Sequence, residues 1–336
     1  MLSKQQLRGL VLEEIILILL SKAGYRILKS GEDTSIRDGS SGLETQGRGE
    51  WHQIDALVAY DHTPAFLYPI RLALEAKAYL PTPNSNGKVG IGVIRNAVGV
   101  VKDLNENYFS DREQTLKLKR YNYVYSIFSL SGFTENAQRY AVAHQIYLIQ
   151  YHHNYLFDNI KNLLSQLEGT TARELRQLDI RRGLRLVLEN PDQHRGNLQE
   201  IFRNEAELIR ELLDEVRYIG SSYFGLLNGE YPVHIFSERP INNLDRDEYV
   251  IPIWVDENGM VIIELMNNNL YFELPEVVAQ ILKEVWTDNL RVANLKRRNL
   301  SFITLSGIIG NVRRNIRLTL DLNWLDQYLS AQQNIE

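Results

Sequence analysis

Cysteine is absent from this chain of 336 residues. Its absence excludes disulfide bonds, thiolate metal sites and a cysteine nucleophile. A chain without cysteine is compatible with a reducing compartment, and we expect the protein to be cytoplasmic.

The chain also lacks a long hydrophobic run. The longest one, Ile15 to Leu20, has charged residues close on both sides and is far too short to cross a bilayer. No small-residue cleavage site follows it, so the segment does not resemble a signal peptide. We therefore expect no membrane partner.

An excess of positive charge is missing too, since the formal net charge is −5. Bulk electrostatics do not favour nucleic acid, and any such binding must come from local patches. The composition, 44% hydrophobic and 24% charged, is ordinary for a globular protein. A chain of this length suggests two domains, each able to bury its own core.

Helical and strand-like patterns alternate in the first 155 residues. Apolar residues recur at helical spacing over residues 3–23, and Gly24 is a candidate C-cap. Residues 30–50 are rich in Gly, Ser, Asp and Thr, which is typical of an exposed loop. The other predicted elements are a strand starting at Tyr25, strands over 51–60 and 66–79, a helix over 89–107, a strand over 121–130, a helix over 133–144 and a strand over 146–149. This order predicts an α/β fold with helices flanking a mixed sheet.

The pattern changes after residue 155, and we predict a first domain over residues 1–155 followed by a separate α+β domain over residues 156–336. Helices are predicted over 157–168, 171–189, 196–218, 275–287 and 322–331, with strands between 230 and 273. Between two of these strands, Asp256-Glu257-Asn258-Gly259 is a hairpin turn signal.

The strongest chemical signal is a pair of carboxylates and a lysine in apolar surroundings. Asp55 follows the strand-like His52-Gln53-Ile54, and Glu75 and Lys77 lie in the next predicted strand. If the two strands form a hairpin, both carboxylates lie at the same end of the sheet. Glu75 and Lys77 are two residues apart, so they point to the same face. The alternative is an ordinary charged pair on an exposed strand face.

Phosphodiester hydrolysis is a reaction that these groups could support with a divalent metal. Mg²⁺ binds carboxylate oxygens and keeps water in its shell. Asp55 and Glu75 are the predicted ligands, and the carbonyl of Ala76 could add a backbone ligand. Lys77 would orient the attacking water or counter the charge that builds on phosphate, and nearby carboxylates should keep it protonated. Glu13 or Glu14 on the first helix could supply a fourth group.

Four separated segments carry a resemblance to a known family. They are Gly47-Arg48-Gly49, His52 to Leu57, Leu74-Glu75-Ala76-Lys77, and Ser131 to Ala141. In this order they resemble the PD-(D/E)XK nuclease superfamily, with the Mrr-like restriction endonuclease catalytic domain as the best match. The opening helix from Glu13 to Tyr25 matches as well, so the resemblance covers about residues 5–150. Two departures are Glu75, where Mrr proteins often carry Gln, and residues 30–50, which have no clear match.

The resemblance implies a restriction-endonuclease-like αβββαβ core with a mixed sheet. It implies Asp55, Glu75 and Lys77 as the catalytic set, Glu13 as the helix carboxylate, and Mg²⁺ as cofactor with Mn²⁺ as a substitute. The expected function is that of a metal-dependent DNA endonuclease in restriction or anti-phage defence. Many such nucleases dimerise to cut both strands, and a homodimer would fit this expectation.

Weaker candidates for contacts to nucleic acid surround this set. Arg48 lies in the glycine-flanked loop, and Gln53 is expected to share a strand face with Asp55. Arg95 and Lys102 lie on the helix that follows the site. For the three basic residues the alternative is a solvent-exposed position without a role.

A second basic signal lies in the C-terminal part. No acidic residue occurs between Asn289 and Leu320, and Arg313, Arg314 and Arg317 are at helical spacing. This segment is a candidate phosphate-contacting patch. The alternative is a surface helix that pairs with the acidic residues in 202–216.

Two other functions stay open. The C-terminal domain could sense a partner defence protein or a small signal and so gate the nuclease. Alternatively, the chain is a non-catalytic nucleic-acid-binding protein with a relic nuclease fold. The intact Asp55, Glu75 and Lys77 set argues against this last reading.

Overall fold

Two units make up the structure, which is a computed structural model. It describes the chain except residues 1–2, 41, 64, 108–119, 169–176, 190–199, 201, 203–204, 243 and 334–336. Unit 1 comprises Met1–Ser21, Tyr25–Leu148 and Phe157–Arg217, and unit 2 comprises Lys22–Gly24, Ile149–Leu156 and Tyr218–Glu336. Both contain helices and strands, so the predicted coarse class of mixed α/β is confirmed.

Unit 1 begins with a long helix and continues with strands. The helices are α1 (Lys4–Lys22), α2 (Ile91–Asn105), α3 (Glu135–Ala143), α4 (Asp158–Gln166), α5 (Gln177–Glu189) and α6 (Ala206–Tyr218). The strands are β1 (Arg26–Ile27), β2 (Ile36–Asp38), β3 (Leu43–Gln46), β4 (Trp51–Ile54), β5 (Ala56–Tyr60), β6 (Ile70–Lys77) and β7 (Asn122–Ser129), and β8 (Tyr147–Gln150) follows α3. The starts predicted at 171 and 196 for two helices lie outside the described residues.

The first helix is buried on nearly every side, as expected of a helix that is apolar all round. Its buried residues include two acids, Glu13 and Glu14. After α1, the predicted cap residue Gly24 has a φ of +90°, which glycine adopts readily.

A five-stranded mixed sheet with the order β1-β5-β6-β7-β8 is the centre of unit 1. β5 pairs antiparallel with β1 and with β6, whereas β6 pairs parallel with β7. The helix α2 joins β6 to β7, which is the crossover that a parallel pair needs. Apolar side chains of the sheet, α2 and α3 form one buried cluster that includes Leu57, Ala73, Ile94, Ile127 and Ala137.

The prediction that residues 30–50 form a loop is wrong. They contain β2 and β3, which with β4 make a three-stranded antiparallel sheet of order β2-β3-β4. These strands are three or four residues long and mostly polar, so they carry little periodic signal. The strand predicted over 51–60 is broken at Asp55: β4 belongs to this small sheet and β5 to the central one.

The predicted domain boundary between residues 155 and 156 differs from the division in the structure. Phe157–Arg217, which includes α4 and α5, belongs to unit 1. The physical reason is partly electrostatic, because arginines of α5 pair with the two buried acids of α1: Arg181 with Glu13, and Arg185 with Glu14.

Unit 2 is built on an eight-stranded sheet with the order β11-β16-β15-β9-β10-β14-β13-β12. Its strands are β9 (Ser221–Leu227), β10 (Tyr231–Ser237), β11 (Glu248–Ile251), β12 (Ile253–Val255), β13 (Met260–Leu265), β14 (Asn268–Glu273), β15 (Phe302–Ile309) and β16 (Val312–Leu320). The helices are α7 (Glu276–Val285), α8 (Asn289–Asn299) and α9 (Leu322–Gln333). The predicted hairpin at Asp256 to Gly259 is confirmed, since β12 pairs antiparallel with β13 across it.

The predicted helical arrangement of Arg313, Arg314 and Arg317 is wrong. All three lie on β16, which pairs with β15 and β11. In a strand, side chains alternate between faces, so Arg314 points to the face opposite Arg313 and Arg317.

Among the described residues, no helix is long and apolar enough to span a bilayer.

Candidate active site

Asp55 lies at the bend between β4 and β5, directly opposite Glu75. The β5–β6 pairing begins with Ala56 opposite Leu74, so Asp55 and Glu75 are the next residues outward on the two strands. One carboxylate oxygen of Asp55, Oδ2, accepts a hydrogen bond of 3.0 Å from the backbone N–H of Ala76. The hairpin pairing expected from the sequence therefore places Asp55 against the centre of the Glu75-Ala76-Lys77 segment.

Glu75 and Lys77 form a close ion pair at the end of β6. Lys77 Nζ lies 2.5 Å from Glu75 Oε1, and the side chains are 21% and 14% exposed. The hydroxyl of Tyr125 on β7 donates to the other oxygen of Glu75, Oε2, at 3.2 Å. Glu75 is thus held from two sides, while enough of the pair remains exposed to meet a ligand.

Burial and neighbouring charges shift the pKa values of two side chains in this cluster, Lys77 and Asp55. Burial opposes the charge on Lys77, but the carboxylates of Glu75 and Asp55 outweigh it and raise the pKa of Lys77. The lysine therefore remains protonated at neutral pH, as expected from the sequence. Burial, with Glu75 nearby, raises the pKa of Asp55, although the N–H of Ala76 and the cations Arg181 and Lys77 act in the opposite direction.

Glu13 lies on α1 next to Asp55. Its side chain is 7% exposed and forms an ion pair with Arg181 of α5, whose side chain is 9% exposed. Burial, and then the negative charge of Asp55, hold the pKa of Glu13 well above its ordinary value, while Arg181 opposes this shift. Glu13 is therefore a neighbour of Asp55, and the side chain of Glu13 forms an ion pair with Arg181.

Arg181 is a site residue that the sequence reasoning did not single out. Besides its ion pair with Glu13, its Nη1 donates a hydrogen bond of 3.0 Å to the backbone carbonyl of Asp55. One guanidinium thus joins α1 and α5 to the bend that carries Asp55. On the same helix, Arg185 donates to both oxygens of Glu14, at 2.8 and 3.1 Å.

A signal for these partners is present in the sequence. Glu13 and Glu14 interrupt an otherwise apolar helix, and buried carboxylates need cationic partners. Arg181 and Arg185 are four residues apart, so a helix places them on one face. Nothing local connects the two segments, which are more than 160 residues apart.

The weaker candidates of unit 1 lie on other elements than the cluster: Arg48 between β3 and β4, Gln53 on β4, and Arg95 and Lys102 on α2. Arg48 is exposed and lies 3.6 Å from Glu106. Arg95 and Lys102 are exposed on α2. Gln53 is exposed on β4, opposite Glu44, and the strand ends at Ile54, directly before Asp55.

Of the candidate arginines of unit 2, Arg314 and Arg317 are paired with acids of that unit, and the guanidinium of Arg313 lies beside Gly24. Arg314 Nη2 contacts Asp247 Oδ1 at 2.5 Å and donates to the carbonyl of Arg246. Arg317 lies 3.7 Å from Glu248. The acidic partners are therefore Asp247 and Glu248 near β11, and the expected pairing with residues 202–216 is wrong for these two arginines.

Within the described residues, no group of three or more His, Cys, Asp or Glu side chains is arranged to hold a metal ion. Glu13, the third acid near Asp55, is engaged by Arg181. A metal at this site would thus have two carboxylates, Asp55 and Glu75, with backbone oxygen and solvent as the other donors.

Comparison with known proteins gives no family. No family model matches the chain, and no curated protein matches it. Among solved structures, a match is the crystal structure of AF1548, a protein of unknown function. The match has a TM-score of 0.32 and 16% sequence identity, and covers 62% of this chain and 97% of the other. A similarity this low supports no argument about fold or function.

Proposed function

We propose that this chain is a metal-dependent DNA endonuclease of the PD-(D/E)XK type, similar to the Mrr-like restriction endonucleases and acting in restriction or anti-phage defence in the cytoplasm. The observation that carries the proposal is the meeting of Asp55 with the Glu75-Ala76-Lys77 segment at one end of the β5–β6 hairpin. Two carboxylates and a protonated lysine around a partly exposed space are the groups that phosphodiester hydrolysis requires.

The order of elements supports the finer fold in this proposal. Helix α1, the antiparallel strands β1, β5 and β6, helix α2 and the parallel strand β7 follow one another in the αβββαβ order. The small sheet β2-β3-β4 is inserted between the first two of these strands. Asp55 lies directly before β5, and Glu75 lies near the end of β6.

The donor set fits Mg²⁺, with Mn²⁺ as a substitute. Mg²⁺ is usually bound through one or two carboxylates and keeps several waters, so Asp55 and Glu75 suffice without a third acid. The carbonyl of Ala76 is the backbone ligand in the proposal. When bound, the metal would lower the pKa of water and neutralise charge on the phosphate.

The side chains of the chain have separate roles in this proposal. Asp55 and Glu75 hold the metal, and Tyr125 orients Glu75 through the hydrogen bond to Oε2. Lys77 supplies a positive charge to the phosphate as negative charge builds in the transition state. Arg181 fixes the bend at Asp55 and neutralises Glu13.

The experiment is cleavage of supercoiled plasmid by the purified chain with Mg²⁺, with Mn²⁺ and with a chelator. We expect metal-dependent nicking that is lost in Asp55→Asn, Glu75→Gln and Lys77→Met. Asp61→Asn is the matched control, because Asp61 is an exposed acid that pairs with Arg26. Cleavage that persists in all three site variants would refute the assignment, and an inactive wild type would favour a gated effector or a non-catalytic binding protein.

A further inference from the structure

A cavity lies beside the candidate site in unit 1. It has a volume of about 430 Å³ and is bounded by residues next to β1, by the start of β5 and by α5. Asp55 forms part of its wall. Its volume is within the range of pockets that bind small molecules and single groups of larger ligands.

Positive charge predominates in the lining. The charged residues of the wall are four cations, Lys29, Arg181, Arg182 and Arg185, and two acids, Asp38 and Asp55. A local excess of cations is unexpected in a chain with a net charge of −5. Glu13 and Glu14 compensate Arg181 and Arg185 from behind the wall, so an anionic ligand would meet positive charge at the exposed Arg182.

The arginine nearest solvent can change its partner at low cost. Arg182 pairs with Asp38 at 2.8 Å, but its side chain is 58% exposed, and exposed ion pairs contribute little to stability. Arg185 also reaches the wall, but two of its nitrogens bind Glu14, so Arg182 is the arginine that can turn towards an anion. A guanidinium binds phosphate through two parallel hydrogen bonds, so phosphate is the anion that Arg182 suits best.

The remaining wall is apolar. Ile27, Leu43 and Leu186 contribute aliphatic surface to the cavity. The wall has the guanidinium of Arg182 on one side and aliphatic side chains on the other. These groups suit a ligand in which a phosphate is joined to a flat, weakly polar ring.

We propose that this cavity binds a nucleoside monophosphate unit, with its phosphate on Arg182 and its base against Ile27, Leu43 and Leu186. The choice of ligand rests on the proposed nuclease function, because Asp55 borders the cavity and a nucleotide bound there places the adjoining phosphate next to the catalytic set. The unit belongs either to the strand being cut or to a free nucleotide, since both present the same chemistry.

The test is calorimetric titration of the full chain with deoxyadenosine 5′-monophosphate and, separately, with inorganic phosphate. We expect the nucleotide to bind more tightly than phosphate, because the aliphatic wall adds contacts. Arg182→Ala should weaken binding by about tenfold or more, the effect of losing charge-assisted hydrogen bonds. Leu186→Trp should weaken it similarly by filling the cavity, and it suits the test because Leu186 is 43% exposed and tolerates a larger side chain.

Arg139→Ala is the control, since Arg139 is an exposed arginine of α3 whose partner Glu135 is on the same helix. It should bind the nucleotide as the wild type does. Absence of nucleotide binding at millimolar concentration, or equal binding by wild type, Arg182→Ala and Leu186→Trp, would overturn the proposal. Circular dichroism establishes that each variant is folded.

A kinetic arm distinguishes the two sources of the nucleotide. If the cavity holds a nucleotide of the strand, deoxyadenosine 5′-monophosphate should raise KM for DNA and leave kcat unchanged. If it holds a free nucleotide, the compound should change kcat. Both results support the cavity, whereas inhibition that is equal in wild type and Leu186→Trp contradicts it. Should no DNA be cut, the nuclease proposal fails, and the calorimetric result still decides whether the cavity binds nucleotides.

Discussion

At the scale of single residues, the site depends on how each charge is compensated. Asp55 is held by the N–H of Ala76, Glu75 by Lys77 and Tyr125, and Glu13 by Arg181. Only the contacts within the β5–β6 hairpin could be predicted from the sequence, because consecutive strands often pair and the apolar pattern defines their register. The contact from Arg181 to Asp55 joins residues 126 apart and has no local signal.

Removing the guanidinium of Arg181 tests its role in positioning Asp55. Arg181→Ala should lower the cleavage rate by about 10- to 100-fold, the size of effect expected when a catalytic group is misplaced. It should also lower the Tm, because Glu13 is left buried without its cation. Arg181→Lys keeps the positive charge but loses the guanidinium that binds Glu13 and the carbonyl of Asp55 together. It should therefore restore part of the Tm and a smaller part of the cleavage rate.

Arg210→Ala is the control for this prediction, because Arg210 is exposed and pairs along its own helix with Glu207. It should leave both Tm and rate close to those of the wild type. If Arg181→Ala behaved like Arg210→Ala, Arg181 would have no role in holding the site.

The buried histidine of unit 2 gives a prediction about pH. His234 accepts or donates hydrogen bonds with Tyr151 at 2.7 Å and Ser222 at 2.5 Å, and it is stacked on Phe224. Burial holds the pKa of His234 well below its ordinary value. The folded state therefore keeps the ring neutral, whereas the unfolded state takes up a proton below about pH 6.5. Since the unfolded state then binds more protons, stability must fall as the pH falls below that value.

Urea unfolding at pH 7.5 and pH 5.5 measures this effect. His234 should contribute a loss of up to about 1.4 kcal/mol in the free energy of unfolding per pH unit below 6.5. His234→Gln cannot titrate, so its stability should change less between the two pH values than that of the wild type. An equal change in both proteins would show that His234 is not the group responsible.

At the scale of helices and strands, the periodicity of apolar residues predicted the bounds of elements that bury one regular face or are buried throughout. Helices α1 and α2 and strands β6 and β7 lie close to their predicted ranges. The short strands β2 and β3 were missed, because β3 is held by pairing with β2 and β4 rather than by a periodic pattern of its own, and β2 by pairing with β3. In β16, Ile316, Leu318 and Leu320 are buried in alternation, a strand signal that outweighs the helical spacing of the arginines.

The turn between β12 and β13 offers a test at this scale. Gly259 has a φ of +85°, and a Cβ there would lie 3.0 Å from the Cβ of Ala279. Gly259→Ala should therefore lower the free energy of unfolding by about 1 kcal/mol or more. Glu257→Ala in the same turn removes only an exposed side chain and should have little effect. Chemical denaturation checks both, and a Gly259→Ala protein as stable as Glu257→Ala would contradict the turn geometry.

At the scale of the whole molecule, composition could indicate two folding units but not their boundary. The pattern changes after residue 155, yet Phe157–Arg217 belongs with the N-terminal residues. Ion pairs across long sequence separations, such as that of Arg185 with Glu14, contribute to this grouping. Such pairs do not alter local periodicity, so a boundary drawn from the pattern alone is displaced.

Two fragments test this division. Residues 1–218 contain all of unit 1 and should fold and retain metal-dependent cleavage. Residues 1–156 lack α5, so Glu13 and Glu14 lose their arginines, and we expect this fragment to be unfolded or inactive. Circular dichroism and a plasmid assay measure both properties, and a fully active fragment 1–156 would show that α5 is not part of the catalytic unit.

The central claim is that Asp55, Glu75 and Lys77 form one phosphodiester-cleaving site. The most direct measurement is the single-turnover rate at which an end-labelled DNA duplex is cut in Mg²⁺ by wild type, Asp55→Asn and Asp61→Asn. Both substitutions replace a carboxylate with an amide of equal size, but only Asp55 faces the Glu75-Ala76-Lys77 segment. We predict that Asp55→Asn lowers the rate by about 100-fold or more and that Asp61→Asn leaves it unchanged. Equal rates for the two variants would contradict the site.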